Sequence, residues 1–86
     1  MEVRLLVAWN LRRLRVAKDL SQEELAFAAG VERAYVGHLE RATKNPTIVT
    51  LEKLATTLEC DIAELFREPP LGAQSPEPMR PGRRKK

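Results

Sequence analysis

Arg33, Ala34, Gly37 and His38 share one face of a short segment, ERAYVGHLER, in which Val36 and Leu39 take the opposite face at a spacing of three. These residues offer hydrogen-bonding capacity rather than a reactive centre. The Arg33 guanidinium is a planar, permanently charged fork of donors, Ala34 offers a methyl group, and His38 donates or accepts according to its tautomer. His38 is the single histidine and Cys60 the single cysteine, so neither a catalytic nor a zinc-binding constellation can be assembled. The chain does not have the layout of an enzyme, and no cofactor is implied. Donors and charge on one helix face need a rigid support, and the preceding residues supply it.

That support is the run Gln22 to Arg41. Leu25, Ala26 and Ala29 make one helical face, and Val31, Val36 and Leu39 make a second. Gly30 lies between them, where a tight turn wants no Cβ. Ala26 is small, as a close crossing of two helices requires. Two short helices around a glycine turn form the helix-turn-helix arrangement, which lays its second helix in the DNA major groove. The same spacing also suits an ordinary αα-corner in any helical domain.

The rest of the chain predicts an all-α fold of five helices. The first runs from about Val3 to Lys18 on the stripe Val3, Val7, Leu11 and Leu14. Ser21 and Glu24 form a capping box at the start of the second. The third covers about Glu32 to Arg41, and a loop Ala42–Pro46 follows. Thr47 caps a fourth helix carrying Ile48, Leu51, Leu54, Ala55 and Leu58. Asp61 and Glu64 read as a second capping box, for a short fifth helix with Ile62, Leu65 and Phe66. Residues 1–67 make one domain. Residues 68–86 are rich in proline and end in four basic residues, so they read as a disordered tail that either touches nucleic acid non-specifically or is simply solvated.

Eighty-six residues leave room for one small core, and no apolar run is long enough to span a membrane. A signal-peptide layout is lacking. The lone Cys60 fits a reducing compartment and a cytoplasmic protein, with the thiol as core filler. The net charge of +3 resides in the tail: residues 1–67 carry ten basic and ten acidic side chains. Distribution is more telling than total. The first helix and Arg33 to Lys44 lean basic, whereas Glu52 to Glu64 leans acidic, which turns one face toward phosphate.

With these motifs in place, the run NLRRLRVAKDLSQEELAFAAGV, followed by YV, LER and NPT, resembles the helix-turn-helix domain of phage Cro and repressor proteins, the xenobiotic-response-element type. The resemblance covers about Val7 to Phe66. Within that family, the segment from Arg33 onward looks most like the controller proteins of restriction–modification systems. It implies a five-helix domain that binds double-stranded DNA, as a homodimer on a palindromic operator. It places Arg33, Ala34, Gly37 and His38 toward bases, with Arg33 suited to guanine O6 and N7 together. Gln22, Lys44 and Asn45 fall at backbone-contacting positions. Tyr35 reaches phosphate or a base, or packs at the helix edge. Arg15 and Glu40 match an ion pair tying the first helix to the third; the alternative for Glu40 is a surface carboxylate.

Three positions depart from the family pattern. Glu32 stands where Ser or Thr is usual and could accept from cytosine N4. Ala42 and Glu59 each replace a helix-ending Gly. Trp9 and Phe27 are large residues at commonly polar positions. Partial burial is expected for both, against a self-association patch for Trp9 or a sugar–phosphate contact for Phe27. The dimer contact is expected through Ile62, Leu65 and Phe66. Two other functions fit the same fold: an antitoxin-type regulator whose tail binds a protein partner, and a protein-interaction domain without operator binding.

Overall fold

The computed structural model describes residues 1–70, so the tail beyond Pro70 lies outside the described residues. Four α-helices, α1 (Val3–Ala17), α2 (Gln22–Ala29), α3 (Arg33–Glu40) and α4 (Ile48–Thr57), are followed by a 3-10 helix, Ile62–Phe66. No strand occurs among the described residues.

Local chemistry sets the boundaries of α2. The Glu24 amide donates to Ser21 Oγ at 3.0 Å and the Ser21 amide donates to Glu24 Oε1 at 2.8 Å, which closes the capping box. At the other end Gly30 takes φ +75°, and the Val31 amide returns to the Ala26 carbonyl at 3.0 Å. That six-to-one bond is the Schellman closure, which a glycine in the left-handed region makes without steric cost. Ala42 and Glu59 adopt the same left-handed region at φ 60°, so the two departures from glycine keep the turns tight at the expense of some backbone strain. Thr47 Oγ1 accepts from the Thr50 amide at 3.1 Å and caps α4. Lys18 and Glu59 pair across the ends of α1 and α4.

The expected fifth α-helix is a 3-10 helix instead. Its opening bond runs from the Glu64 amide to the Asp61 carbonyl, one residue shorter than an α-helical bond. Asp61 makes no side-chain capping bond, and the Glu64 carboxylate is turned to Arg13 Nη2 at 3.3 Å, so the second capping box does not form.

The core joins Val7 and Leu11 of α1, Leu25 and Ala26 of α2, Val36 and Leu39 of α3, Leu51, Leu54 and Ala55 of α4, then Leu58 and Leu65. Leu65 is wholly buried there, 0% exposed, because the tight 3-10 turn drives it between α1 and α4. Val3, at the head of the α1 stripe, stays exposed. Asn10 is also wholly buried. The two protons of its amide nitrogen are shared among the carbonyls of Leu6 (3.0 Å), Leu65 (3.1 Å) and Arg67 (2.8 Å), and its oxygen accepts from Arg13 at 2.9 and 3.1 Å. Asn10 therefore fastens the 3-10 helix to α1 by side-chain bonds that satisfy backbone acceptors inside the core.

Phe27 corrects the expectation of partial burial: it is 89% exposed. α2 buries Leu25 and Ala26, and a residue two positions beyond Leu25 is rotated about 200° from it, away from the core. Trp9 is half-buried, and the Arg13 guanidinium stands 5.7 Å from its ring centre.

Candidate nucleic-acid interface

The candidate surface is the outward side of α3 with the start of α2 and the loop after α3. Its orientation is set by one buried carboxylate. Glu40 Oε2 accepts from Arg15 Nε at 2.6 Å, and Oε1 accepts from Arg15 Nη2 at 3.0 Å and from Gln22 Nε2 at 3.1 Å. Arg12 Nε lies 3.5 Å from the same oxygen. Arg15 Nη1 donates onward to the Leu20 carbonyl at 2.7 Å. Three elements meet at Glu40: the end of α1, the start of α2 and the end of α3. Glu40 is buried, so it is not a surface carboxylate. The bidentate geometry and the bond from Gln22 fill the acceptor sites that a buried carboxylate must have satisfied.

Around this anchor the expected residues divide. Arg33 and Ala34 are exposed on α3, and His38 is half-exposed. Glu32 is exposed at the helix start and makes no capping bond with its side chain. Tyr35 packs against the core, which is the edge-packing alternative. Lys44 and Asn45 are exposed in the loop after α3. That loop is fastened back to the helix: the Thr43 amide and hydroxyl both donate to the His38 carbonyl at 3.0 Å. Gln22 gives one side-chain N–H to Glu40, so what it has left for an anion is the second N–H of that amide and the helix-start backbone N–H.

Gly37 corrects the expectation that it is open to a base. It is buried beneath the side chain of Arg41. A Cβ at Gly37 would stand 3.3 Å from Arg41 Nη1 and 3.6 Å from Gln22 Oε1. The bare backbone there makes a seat for the guanidinium, and Arg41 is the group that occupies this part of the face. The spacing of Gly37 and Arg41, one α-helical turn apart, was the available sequence signal. Arg41 Nη2 in turn lies 3.2 Å from His38 Nδ1, and Thr43 Oγ1 lies 3.3 Å from that same nitrogen.

Two further expectations change. Leu65 is part of the core and cannot be a contact between copies, whereas Ile62 and Phe66 remain partly exposed. An open, largely apolar groove of about 290 Å³ lies at the start of α4, bordered by Val3, Ile48 (74% exposed) and Phe66 and by Lys44 and Asn45 of the preceding loop. Cys60 is half-buried, and burial first, then the Glu64 carboxylate, pushes its thiol up, which favours the protonated form. No cluster of three or more potential metal ligands occurs among the described residues, and none of their helices is long and apolar enough to cross a membrane.

Two short helices around a left-handed glycine, the second presenting its polar side outward from a shared core, define a helix-turn-helix domain. Residues 11–65 match the family model described as helix-turn-helix, and the chain belongs to that family. The uncharacterized HTH-type transcriptional regulator y4dJ of Sinorhizobium fredii is 40% identical over 77 residues, covering 86% of this chain and 100% of that protein. The control protein C.SmaI of Serratia marcescens is 38% identical over 66 residues, covering 77% of this chain and 79% of that one. Among solved structures, the restriction-modification controller protein C.AhdI from Aeromonas hydrophila matches with a TM-score of 0.71 at 48% identity, covering 73% of this chain and 96% of that chain.

Proposed function

We propose that the protein is a small transcriptional regulator that binds double-stranded DNA sequence-specifically, as a homodimer on a two-fold operator. The observation that supports this most is the clamp at Glu40. It spends a buried ion pair and a glutamine on holding the start of α2 against the end of α3, while Arg33, Ala34 and His38 are left outside the core. A helix held this way enters the major groove with its side chains in fixed register. Arg33 reads guanine, Ala34 contacts a thymine methyl, and Glu32 accepts from cytosine N4. Lys44, Asn45 and the backbone N–H groups at Gln22 hold phosphates and set the register without reading sequence.

One such domain reads only a few base pairs, and a second copy supplies affinity and a palindromic site. In this reading the dimer contact uses Ile48 and Phe66 at the groove, since Leu65 is inside the core. The relatives named as controller proteins support a stand-alone regulator of a restriction–modification gene pair; the genes that flank this one test that assignment. A protein-interaction role has one observation in its favour, the exposed Phe27 on α2. Selection from a random duplex pool followed by a gel shift separates the two. Recovery of a preferred two-fold sequence supports the regulator, and failure to retain any duplex leaves the protein-interaction role.

A further inference from the structure

The resemblance assigns no role to Arg41, yet its guanidinium lies in the middle of the α3 face, over Gly37 and against His38. The contacts around His38 Nδ1 cannot all be made at once. Arg41 Nη2, 3.2 Å away, can only donate, so it needs Nδ1 bare. Thr43 Oγ1, 3.3 Å away, has one proton, and that proton is given to the His38 carbonyl at 3.0 Å. Toward Nδ1 the Thr43 oxygen can therefore only accept, so it needs Nδ1 protonated. In the neutral ring one nitrogen carries the proton and the other does not, so the partner that wins Nδ1 decides what Nε2 presents.

Resting on the reading of α3 as the major-groove helix, we propose that Arg41 is a specificity-determining positioning residue that sets the hydrogen-bonding sense of His38. While the guanidinium lies on the bare backbone of Gly37, Nδ1 stays an acceptor and Nε2 carries the proton. His38 then offers a donor, which suits guanine O6 or N7 or thymine O4. When Arg41 leaves that seat, Thr43 draws the proton to Nδ1 and Nε2 becomes an acceptor, which suits cytosine N4 or adenine N6. Gly37 is part of the device, because a methyl group there would meet Arg41 Nη1 at 3.3 Å and shift the guanidinium by a few tenths of an ångström.

The test uses the full chain, in which His38 is the single histidine and gives one unambiguous set of ring signals. Long-range proton–nitrogen NMR at about pH 8.5, where an ordinary histidine is neutral, reads the tautomer directly. The wild-type ring should be the Nε2–H form. Arg41→Met should move population to the Nδ1–H form, Thr43→Val should not, and the double variant should return to the wild-type signal. Random-duplex selection with Arg41→Met should lower the preference for guanine or thymine at one base pair per half-site by about fivefold, the value of one hydrogen bond. A ring signal unchanged by Arg41→Met would overturn the proposal. A tautomer shift with unchanged base preference would uphold the coupling of Arg41 to His38 and instead overturn the reading of His38 as a base contact.

Discussion

Arg15 and Glu40, twenty-five residues apart in sequence, form a two-pronged ion pair at 2.6 and 3.0 Å with both side chains sealed from solvent. A buried pair of this kind is weak evidence of net stabilisation, because desolvating two charges offsets much of their attraction. Its geometry does more. It fixes the end of α3 against α1, and through Gln22 it fixes the start of α2. Glu40→Leu should therefore cost about 3–5 kcal/mol, because it leaves the Arg15 charge in the core without its counter-charge, and Arg15→Met should cost a similar amount for the converse reason. The double variant Arg15→Met, Glu40→Leu should cost less than either single change. A denaturant-melt cycle showing additive losses would remove the coupling.

Asn10 makes the corresponding attachment at the other end of the domain. Asn10→Leu keeps the branched heavy-atom skeleton but strips the Leu65 and Arg67 carbonyls of their donor. The loss should be about 2 kcal/mol or more, since each orphaned buried acceptor costs about 1–3 kcal/mol. Hydrogen exchange should show the 3-10 helix loosening first. A midpoint of unfolding equal to wild type would show that the 3-10 helix does not depend on this side chain.

These two attachments differ in how far they could be read from the chain. The capping box at Ser21 and Glu24, the glycine turn at Gly30 and the apolar faces of α2 and α3 are local, so residue type and spacing specify them. The Arg15–Glu40 pair came from family resemblance, because nothing in spacing joins residues so far apart. Asn10 interrupts the apolar side of α1, yet its acceptors lie more than fifty residues away and leave no local trace. Leu65 was misplaced because a 3-10 turn rotates its residues differently from an α-helix, which turns a surface expectation into a core position. The helix period sets Arg41 one turn from Gly37, but whether its flexible side chain folds back over the glycine is not legible in that spacing.

Acid should loosen the same end of the fold. The hydrogen bond from Arg13, helped by Arg67, holds the Glu64 carboxyl below its usual value of 4.5. A carboxylate whose folded-state value is lowered contributes stability that is complete above its unfolded value and is lost as the pH falls through the folded one. Wild type should therefore lose stability on acidification below 4.5, and Glu64→Gln should flatten that limb of the curve by starting slightly less stable than wild type at neutral pH and meeting it in acid. The Lys18–Glu59 pair, whose carboxyl is lowered in the same sense, contributes on the same side of the curve. Parallel acid limbs for Glu64→Gln and wild type would exclude Glu64 as a contributor.

Assembly is expected to use the start of α4, since Leu65 is sealed inside the core. Ile48→Glu places a charge on the groove beside Phe66 and should give a folded monomer with weakened operator binding. Leu65→Glu should instead unfold the domain, because it buries a carboxylate without a partner. Sedimentation with circular dichroism distinguishes the two. An Ile48→Glu protein that remains dimeric, or a wild type that is monomeric at micromolar concentration, would move the contact elsewhere.

The most direct measurement of the central claim is binding of wild type and Arg33→Ala to two duplexes at one fixed salt concentration: the sequence enriched from a random pool, and a scrambled version of it. Enrichment should converge on a two-fold sequence. Arg33→Ala should lose about 1–3 kcal/mol on that sequence and much less on the scrambled duplex, relaxing preference at one base pair in each half-site. An equal loss on both duplexes would make Arg33 a phosphate contact only, and a pool that never converges would contradict sequence-specific reading by α3 altogether.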